Sequence, residues 1–282
     1  MSSSSPSAPI LFDRALLRVR QARARRLGAA TFLLDRAAEE MDERLQAVLR
    51  TFTKGADIAT PGVGLRVAIA GRVGTLAHVA VPDAEGEGLG LAPESLDLAV
   101  SALGLHFVND LPGVMAQLRR ALKPDGLLLA AMLGGDTLTE LRQSFAAAEA
   151  ELDGGLSPRV VPFADLRDLG ALLQRAGFAL PVTDVERIVV RYDSAFALMQ
   201  DLRRMGATNV LMERRRTPLR RATLLRMAQF YAEHFSDPDG RIRATFEVIW
   251  LSGWAPHESQ QQPLKPGSAK ASLADAVRGL KK

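Results

Sequence analysis

The 282-residue sequence contains no cysteine, which excludes disulfide bonds, thiolate zinc sites, iron–sulfur ligation and a cysteine nucleophile. Aromatic residues make up only 5% of the chain, and no apolar run approaches the roughly 20 residues that a membrane-spanning helix needs. Charged residues account for 24% and hydrophobic residues for 47%, ordinary values for a globular protein. A disordered chain, a collagen-like repeat and a coiled-coil rod are therefore excluded.

The positive charge is concentrated in two segments. Residues 14–26 hold six arginines and no acidic residue, and residues 202–226 hold eight arginines and one acidic residue, Glu213. Such segments are typical of proteins that contact an acidic protein surface or an anionic membrane, and also of solvated helix faces. Aromatic residues do not alternate with these arginines, which argues against a nucleic-acid partner.

Hydrophobic periodicity predicts helices at the N-terminus and an α/β arrangement after them. Apolar residues recur every three or four positions over residues 12–50. The strand-like runs 96–103 and 127–133 enclose a predicted helix over 111–122, and the predicted turn Lys-Pro-Asp-Gly (123–126) precedes the second run. This order of elements predicts a parallel βαβ unit with a right-handed crossover.

The alternation of helices and strands continues towards the end of the chain. The pattern predicts helices over 138–152, 163–176, 194–205 and 217–235, and strands over 76–81, 187–192 and 245–254. We therefore expect an α/β, doubly wound, mostly parallel sheet. The expected organisation is a flexible tail (1–11), N-terminal helices (12–54), an α/β domain (55–259) with a helical insertion (194–235), and a C-terminal tail (260–282).

Several segments resemble one family. SLDLAVSALGLHFVNDLP (95–112) and LKPDGL (122–127) resemble the central part of the class I S-adenosylmethionine-dependent methyltransferases. MLGGDTL (132–138), GLSPR (155–159) and GWAPHESQ (253–260) resemble one branch of that family, the respiratory complex I assembly factors with a methyltransferase fold. A mitochondrial member of this branch is an arginine hydroxylase that acts on a complex I subunit. The resemblance, over residues 12 to 275, implies the class I fold.

The resemblance implies S-adenosylmethionine as a cofactor, but the sequence departs from the family at the residues that would bind it. In the family an acid ends the first strand, and glycines follow at alternate positions so that the backbone can approach the cofactor. With Asp57 as the acid, the first glycine position falls on Ala59, whereas a shift of one residue recovers Gly62 and Gly64. Asp83 is the candidate for the acid that binds the ribose.

The segment between the second predicted strand and residue 95 is too short for the helix and strand that the family has there. We therefore expect a sheet shortened between strands 2 and 4. On the substrate side the resemblance places His106, Asn109 and Asp136 at the carboxyl ends of strands. Asp136 and Thr137 have a second interpretation, as a cap of the helix that follows. The four histidines share no metal-like spacing, so no metal site is expected.

Two classes of function remain open from the sequence. The first is an enzyme, either a methyltransferase acting on a small molecule or protein, or the protein-arginine hydroxylase that the resemblance implies. The second is a non-catalytic scaffold that docks a complex I subunit or another acidic protein surface, with peripheral contact to anionic lipid. The short segment before Phe12 favours a bacterial cytoplasmic protein at the inner membrane, or a matrix protein if the source is eukaryotic.

Overall fold

The computed structural model describes residues 10–82 and 88–261. Asp83 and most of both predicted tails therefore lie outside the described residues. Two helices come first, α1 (Arg14–Arg26) and α2 (Phe32–Ala47), as the periodicity predicts. The side chain of Asp13 caps α1 by accepting a hydrogen bond from the Leu16 amide.

Helices and strands then alternate. In chain order they are β1 (Phe52–Ile58), α3 (Gly64–Ala68), β2 (Val73–Val79), β3 (Leu96–Ala102), α4 (Leu111–Ala121), β4 (Leu122–Leu133), α5 (Thr139–Leu152), α6 (Leu166–Arg175), β5 (Ala179–Tyr192), α7 (Ala195–Met205), α8 (Arg221–Phe235) and β6 (Ile242–Trp254). The predicted helices and strands are all present, but β5 begins well before the predicted strand. Gly177 and Gly206 follow α6 and α7 in the left-handed conformation that favours glycine after a helix.

The strands form one sheet in the order β2-β1-β3-β4-β6-β5. The pairs β1–β2, β1–β3 and β3–β4 are parallel, and β6 is antiparallel to both β4 and β5. Because β5 then runs in the direction of β4, β6 is the one reversed strand, and the mostly parallel sheet is confirmed. The described residues between β2 and β3, 80–82 and 88–95, contain no helix or strand, which agrees with the expected shortening.

Helices cover both faces of the sheet. On one face α4 and α6 bury apolar side chains such as Met115 and Leu172, and on the other α2 and α3 bury Met41 and Leu65. This arrangement explains why β3 and β4 are apolar along most of their length, since strands covered on both faces have no solvent-facing side. The doubly wound architecture is confirmed.

The predicted turn at 123–126 is not a separate turn. The residues belong to β4, where the pairing with β3 shifts from Leu96–Leu122 to Leu98–Leu127. The extra residues of β4 form a bulge, and Asp125 takes a positive φ of 65° there. The strand therefore begins directly at the end of α4.

The region 194–235 contributes α7 and α8 between β5 and β6. Together with α5 they bury a cluster against the antiparallel part of the sheet, which includes Phe145, Leu198 and Tyr231. Helix α1 packs on α7, so the N-terminal helices contact the C-terminal half of the sequence. Among the helices formed by the described residues, none is both long and apolar enough to span a bilayer.

Candidate functional site

The loop after β1 is held against the end of β3. The buried hydroxyl of Thr60 accepts a hydrogen bond from the Ala102 amide over 2.9 Å. A Cβ on Gly104 would lie 2.3 Å from the carbonyl oxygen of Ala59, so only glycine fits this approach. These contacts join the carboxyl ends of two neighbouring parallel strands, the edge at which open α/β sheets bind ligands.

Asp57, expected to face the cofactor, is fully buried near the end of β1. Its Oδ2 accepts a hydrogen bond from the Arg66 guanidinium and lies 3.3 Å from His78 Nδ1. Its Oδ1 has no hydrogen-bond partner among the described residues. The same guanidinium donates to the Gly62 carbonyl over 2.9 Å. Arg66 therefore occupies acceptors of both the strand end and the following loop.

The backbone after Asp57 adopts conformations that favour glycine at two positions. Ala59, at the first glycine position of the family, has a φ of 58°, and Gly62 has a φ of 74°. Gly64 is the first residue of α3. The register with Asp57 as the acid thus keeps the family's backbone shape at Ala59, although an alanine has replaced the glycine.

On the side expected to bind S-adenosylmethionine, the described residues depart from the pattern that the resemblance implies. Arg66 covers the acidic end of β1, and the alanine methyl stands where the family keeps a backbone free of side chains. The described residues between β2 and β3 form no strand for the adenine side. Asp83, the expected ribose ligand, lies outside the described residues. The side of the edge formed by β3 and β4 is arranged differently.

A cavity of about 290 Å³ lies at the carboxyl ends of β3 and β4. It is lined by the loop 61–64, by the ends of β3 and β4, and by the residues that join α1 to α2. The C-terminal end of α7 completes it with Arg204 and Met205. Of the expected site residues, the structure brings Gly62, Gly64 and His106 to this cavity.

His106 is a buried, neutral base in the cavity wall. Burial lowers the pKa of His106 to about 3, so the imidazole carries no charge near neutral pH. Its Nδ1 accepts a long hydrogen bond from the Leu133 amide, 3.5 Å away, which places the proton on Nε2. The ring also contacts Phe107 and Phe163, with centroids 4.2 and 5.4 Å away. Nε2 has no hydrogen-bond partner among the described residues.

Asn109 and Asp136, the other two residues expected on the substrate side, do not line the cavity. The side chain of Asn109 accepts hydrogen bonds from the amides of Leu11 and Phe12, over 2.9 and 2.7 Å, and so anchors the segment that leads into α1. Asp136 is half-exposed and pairs with Arg187 on β5. For these two residues the geometry indicates an anchoring role, not contact with a ligand in the cavity.

The expected helix cap by Asp136 and Thr137 is wrong. Helix α5 begins after Leu138, which has a positive φ of 54° and no side-chain cap. The hydroxyl of Thr137 donates to the Glu247 carbonyl over 3.2 Å and accepts from its amide over 3.1 Å. The Thr137 hydroxyl therefore bonds to the backbone of β6 and does not cap α5.

Sequence reasoning missed Asp35, in the first turn of α2. Among the described residues that line the cavity it is the one carboxylate. Its Oδ2 accepts from the Thr31 hydroxyl over 2.7 Å, and its Oδ1 faces Gly64, 3.8 Å from the position of a Cβ there. The only signal in the sequence was an acid near a helix start, which usually means favourable interaction with the helix dipole.

Comparison with known proteins agrees with the fold. The family described as a methyltransferase domain matches residues 55–130, from β1 through the βαβ unit. The solved structure of the YcgJ protein from Bacillus subtilis covers 79% of this chain and 99% of its own, with a TM-score of 0.53 at 14% identity, and supports the fold alone. The arginine hydroxylase NDUFAF5, mitochondrial, of Dictyostelium discoideum is 45% identical over 186 residues. A methyltransferase domain thus covers residues 55–130, and the chain has the class I methyltransferase fold.

By sequence, the chain is similar both to NDUFAF5 proteins and to malonyl-[acyl-carrier protein] O-methyltransferases. A malonyl-[acyl-carrier protein] O-methyltransferase from Laribacter hongkongensis is 42% identical over 181 residues. The alignments cover 66% and 64% of this chain but 43% and 58% of the two relatives. The chain thus spans about half of the length of the curated relatives it matches.

Two of the segments that resemble the NDUFAF5 branch make contacts at the ends of elements. Arg159, in the GLSPR segment, forms an ion pair with the buried Glu149 of α5. In the PHESQ segment His257 Nδ1 contacts the Ser259 hydroxyl over 2.6 Å, a contact within the loop. Gln260 donates to the Ala255 carbonyl over 2.8 Å and so fastens the end of β6.

Proposed function

We propose that this protein is a complex I assembly factor that binds an arginine-bearing segment of a complex I subunit, with the arginine side chain in the cavity. The observation that carries the proposal is Asp35, the one carboxylate among the described residues that line a largely apolar cavity. A carboxylate with one unpartnered oxygen is a strong acceptor for a guanidinium, which can offer two parallel N–H donors. The relative from Dictyostelium discoideum, by its name, is an arginine hydroxylase.

Part of the remaining wall suits the arginine stem, while Arg25 and Arg204 also line the cavity. Leu33, Leu103 and Leu133 offer apolar surface to its methylene groups, as arginine stems pack on apolar neighbours while the charge finds polar partners. A cavity of about 290 Å³ is at the lower end of small-molecule sites, which suits one long side chain better than a whole cofactor. The backbone of the bound segment would therefore stay outside.

The neutral state of His106 favours the same ligand. A charged imidazole would add to the positive charge of Arg25 and Arg204 in the wall, whereas the depressed pKa of His106 keeps this further repulsion away at neutral pH. Its Nε2–H can donate to an oxygen of the bound segment. We assign His106 a binding role on this basis, with Gly62 and Gly64 supplying the nearby backbone.

The expected location follows the partner. We propose a cytoplasmic protein at the inner face of a bacterial membrane, or a matrix protein if the source is eukaryotic, because the matched NDUFAF5 relatives are named mitochondrial. The contact with the membrane is peripheral in this proposal.

Peptide binding tests the role of Asp35. A peptide with one arginine and the same peptide with citrulline, which is uncharged but nearly the same shape, are titrated against the protein by fluorescence anisotropy. We expect the arginine peptide to bind on the order of tenfold more tightly, and Asp35→Asn to remove that preference. Glu39→Gln, one turn further along α2 and exposed, is the matched control. Equal binding of both peptides to the unaltered protein would reject the proposal.

A second candidate function is methyl transfer from S-adenosylmethionine. The match of the methyltransferase domain to residues 55–130 favours it, and the departures at Ala59 and Arg66 oppose it. Calorimetric titration with S-adenosylhomocysteine measures whether the cofactor site binds. Mass spectrometry of the complex I subunits from cells with and without the gene then separates three outcomes: an added oxygen, an added methyl group, or no modification, as a scaffold would give.

A further inference from the structure

The two basic segments of the sequence form one surface in the fold. The amide of Asp13 donates to the Val210 carbonyl over 2.8 Å, and the amide of Met212 donates to that of Leu11 over 2.9 Å. At the other end of α1, a Cβ on Gly206 would lie 2.9 Å from the Cα of Gln21, so the end of α7 packs closely on α1. Residues 14–26 and 203–216 therefore lie side by side.

Some arginines of this surface are used inside the protein. Arg14 donates to the Val81 carbonyl over 2.7 Å, Arg204 donates to the Gly28 carbonyl over 2.8 Å, and Arg214 pairs with Asp13 over 3.0 Å. Their charges are bound to acceptors of the fold, which accounts for them without any partner.

Four other arginines are exposed and make no side-chain hydrogen bond or ion pair with any described residue. We call them the basic face: Arg25, Arg26, Arg203 and Arg216. Three of them stand at the ends of α1 and α7, and the negative ends of the helix dipoles account for part of their placement there. Arg216 is at no helix end, but its charge acts on Asp13 at the start of α1.

The basic face adjoins the cavity. Arg25 lines the cavity itself, Arg26 is its neighbour in the chain, and Arg203 precedes a second lining residue, Arg204. From there the face extends along α1 towards Arg216, a distance of about 20 Å for a helix of this length. An extended peptide covers such a distance with about six residues.

We propose that the basic face binds acidic residues in the same protein segment whose arginine enters the cavity. This inference rests on the proposed function and adds the chemistry of the flanking sequence: several carboxylates within about six residues of the arginine. Carboxylates along the face would pair with arginines that make no side-chain hydrogen bond or ion pair with the described residues, and would speed association at low ionic strength.

A protein segment fits this face better than a lipid bilayer. Helices that lie in a membrane interface present a continuous apolar face with aromatic or leucine side chains. The exposed large apolar residues in and next to the two segments are Ile10, Leu11, Val19, Leu27 and Met212, and α1 contains no aromatic residue. A bilayer against the face would also cover the cavity, which a segment inserting its arginine must reach.

The test uses two peptides with one central arginine, flanked by glutamates in one and by glutamines in the other. The binding variant carries Arg26→Glu, Arg203→Glu and Arg216→Glu, and leaves the cavity-lining Arg25 unchanged. The control carries Arg167→Glu and Arg175→Glu, two exposed arginines of α6, which lines no part of the cavity. Fluorescence anisotropy measures the binding of each peptide to the unaltered protein and to each variant, at low and at high salt.

We expect the glutamate peptide to bind the unaltered protein on the order of tenfold more tightly than the glutamine peptide at low salt, and much less so at high salt. The three-residue variant should lose this preference, and the α6 control should keep it. Equal loss in both variants, or no loss in either, would overturn the inference. If charge reversal lowers the melting temperature, the glutamine substitutions at the same three positions replace it.

Two further readouts separate the possibilities. In one outcome, the glutamine-flanked peptide binds no better with arginine than with citrulline, while binding of the glutamate-flanked peptide still depends on the basic face. The proposed function then fails and the docking surface stands. If vesicles containing anionic lipid bind through the same three arginines and the two peptides do not differ, the face is a membrane contact and the inference fails.

Discussion

The two halves of the carboxyl edge of the sheet differ in what fills them. On the half formed by β1 and β2, Arg66 bridges the buried Asp57 and the Gly62 carbonyl, so the protein's own cation takes the acceptors. On the half formed by β3 and β4, a cavity remains, with the neutral His106 in its wall. The resemblance places the cofactor at the first half and the substrate at the second.

The half formed by β1 and β2, here called the closed half, is filled by an internal ion pair, whereas the half formed by β3 and β4, the open half, keeps a cavity. The loop after β1 contributes to both halves, because its residues Gly62 and Gly64 also line the cavity of the open half. The closed half therefore acts as a support whose shape is set by internal ion pairing.

Removing the cation of the closed half should cost the most stability. Arg66→Met leaves the fully buried carboxylate of Asp57 without its strongest partner, and breaking a buried pair in this way costs about 3 kcal/mol. Chemical denaturation measures the free energy of unfolding. The double variant with Asp57→Asn removes the charge as well, so it should be more stable than Arg66→Met alone.

The same pair of variants can contradict the support role. If Arg66→Met unfolds at the same denaturant concentration as the unaltered protein, the guanidinium contributes nothing to the closed half. If Arg66→Met gains binding of S-adenosylhomocysteine that the unaltered protein lacks, the arginine closes a site that is otherwise intact.

Filling the contact between the two halves should have the next largest effect. The Cβ introduced by Gly104→Ala meets the Ala59 backbone at 2.3 Å, and overpacking against backbone costs about 2 kcal/mol. We also expect weaker binding of the arginine peptide, since Gly104 lies two residues before His106. Gly155→Ala is the matched control, because nothing lies within 4 Å of its Cβ position. Equal stability of both variants would show that the loop moves freely.

The open half should make stability depend on pH. The pKa of His106 is about 3 in the folded protein and about 6.5 in the unfolded chain, so below pH 6.5 the unfolded state binds a proton that the folded state does not. The free energy of unfolding should therefore fall as the pH decreases from about 6.5 towards 3, by at most about 1.4 kcal/mol per pH unit.

The slope belongs to His106 only if removing its imidazole reduces it. His106→Asn keeps an acceptor near the Leu133 amide but does not titrate, so its unfolding should depend less on pH. His257→Asn, in an exposed loop, should leave the slope unchanged. Identical slopes for all three proteins would mean that His106 is protonated without cost in the folded state.

Much of the fold could be predicted because local patterns and tertiary structure agree there. Continuous apolar runs identified β3 and β4, and the three- and four-residue repeat identified α1 and α2. The turn at 123–126 was wrong because a bulge with a positive φ at Asp125 uses the same residue types as a turn. The helix cap at Asp136 was wrong because a distant strand bonds Thr137.

The candidate site was predicted only in part. Strand ends can be located from the chain, so His106, Gly62 and Gly64 were predicted at the carboxyl edge, where they line the cavity, and their roles stay predictions. Asp35 could not be found this way, because its place in the cavity depends on how α2 packs over the sheet. Asn109 was misplaced for the same reason, since its partners are almost a hundred residues away.

The sequence by itself determined the order of elements, the absence of cysteine chemistry, the shortened sheet and the two runs of arginine. These are properties of composition and of local periodicity, which the backbone obeys almost independently of distant contacts. The tertiary structure alone decided that Arg66 closes one half of the edge, that Asp35 enters the cavity, and that two arginine segments form one face. Those juxtapositions depend on packing between elements far apart in the chain, which no local pattern encodes.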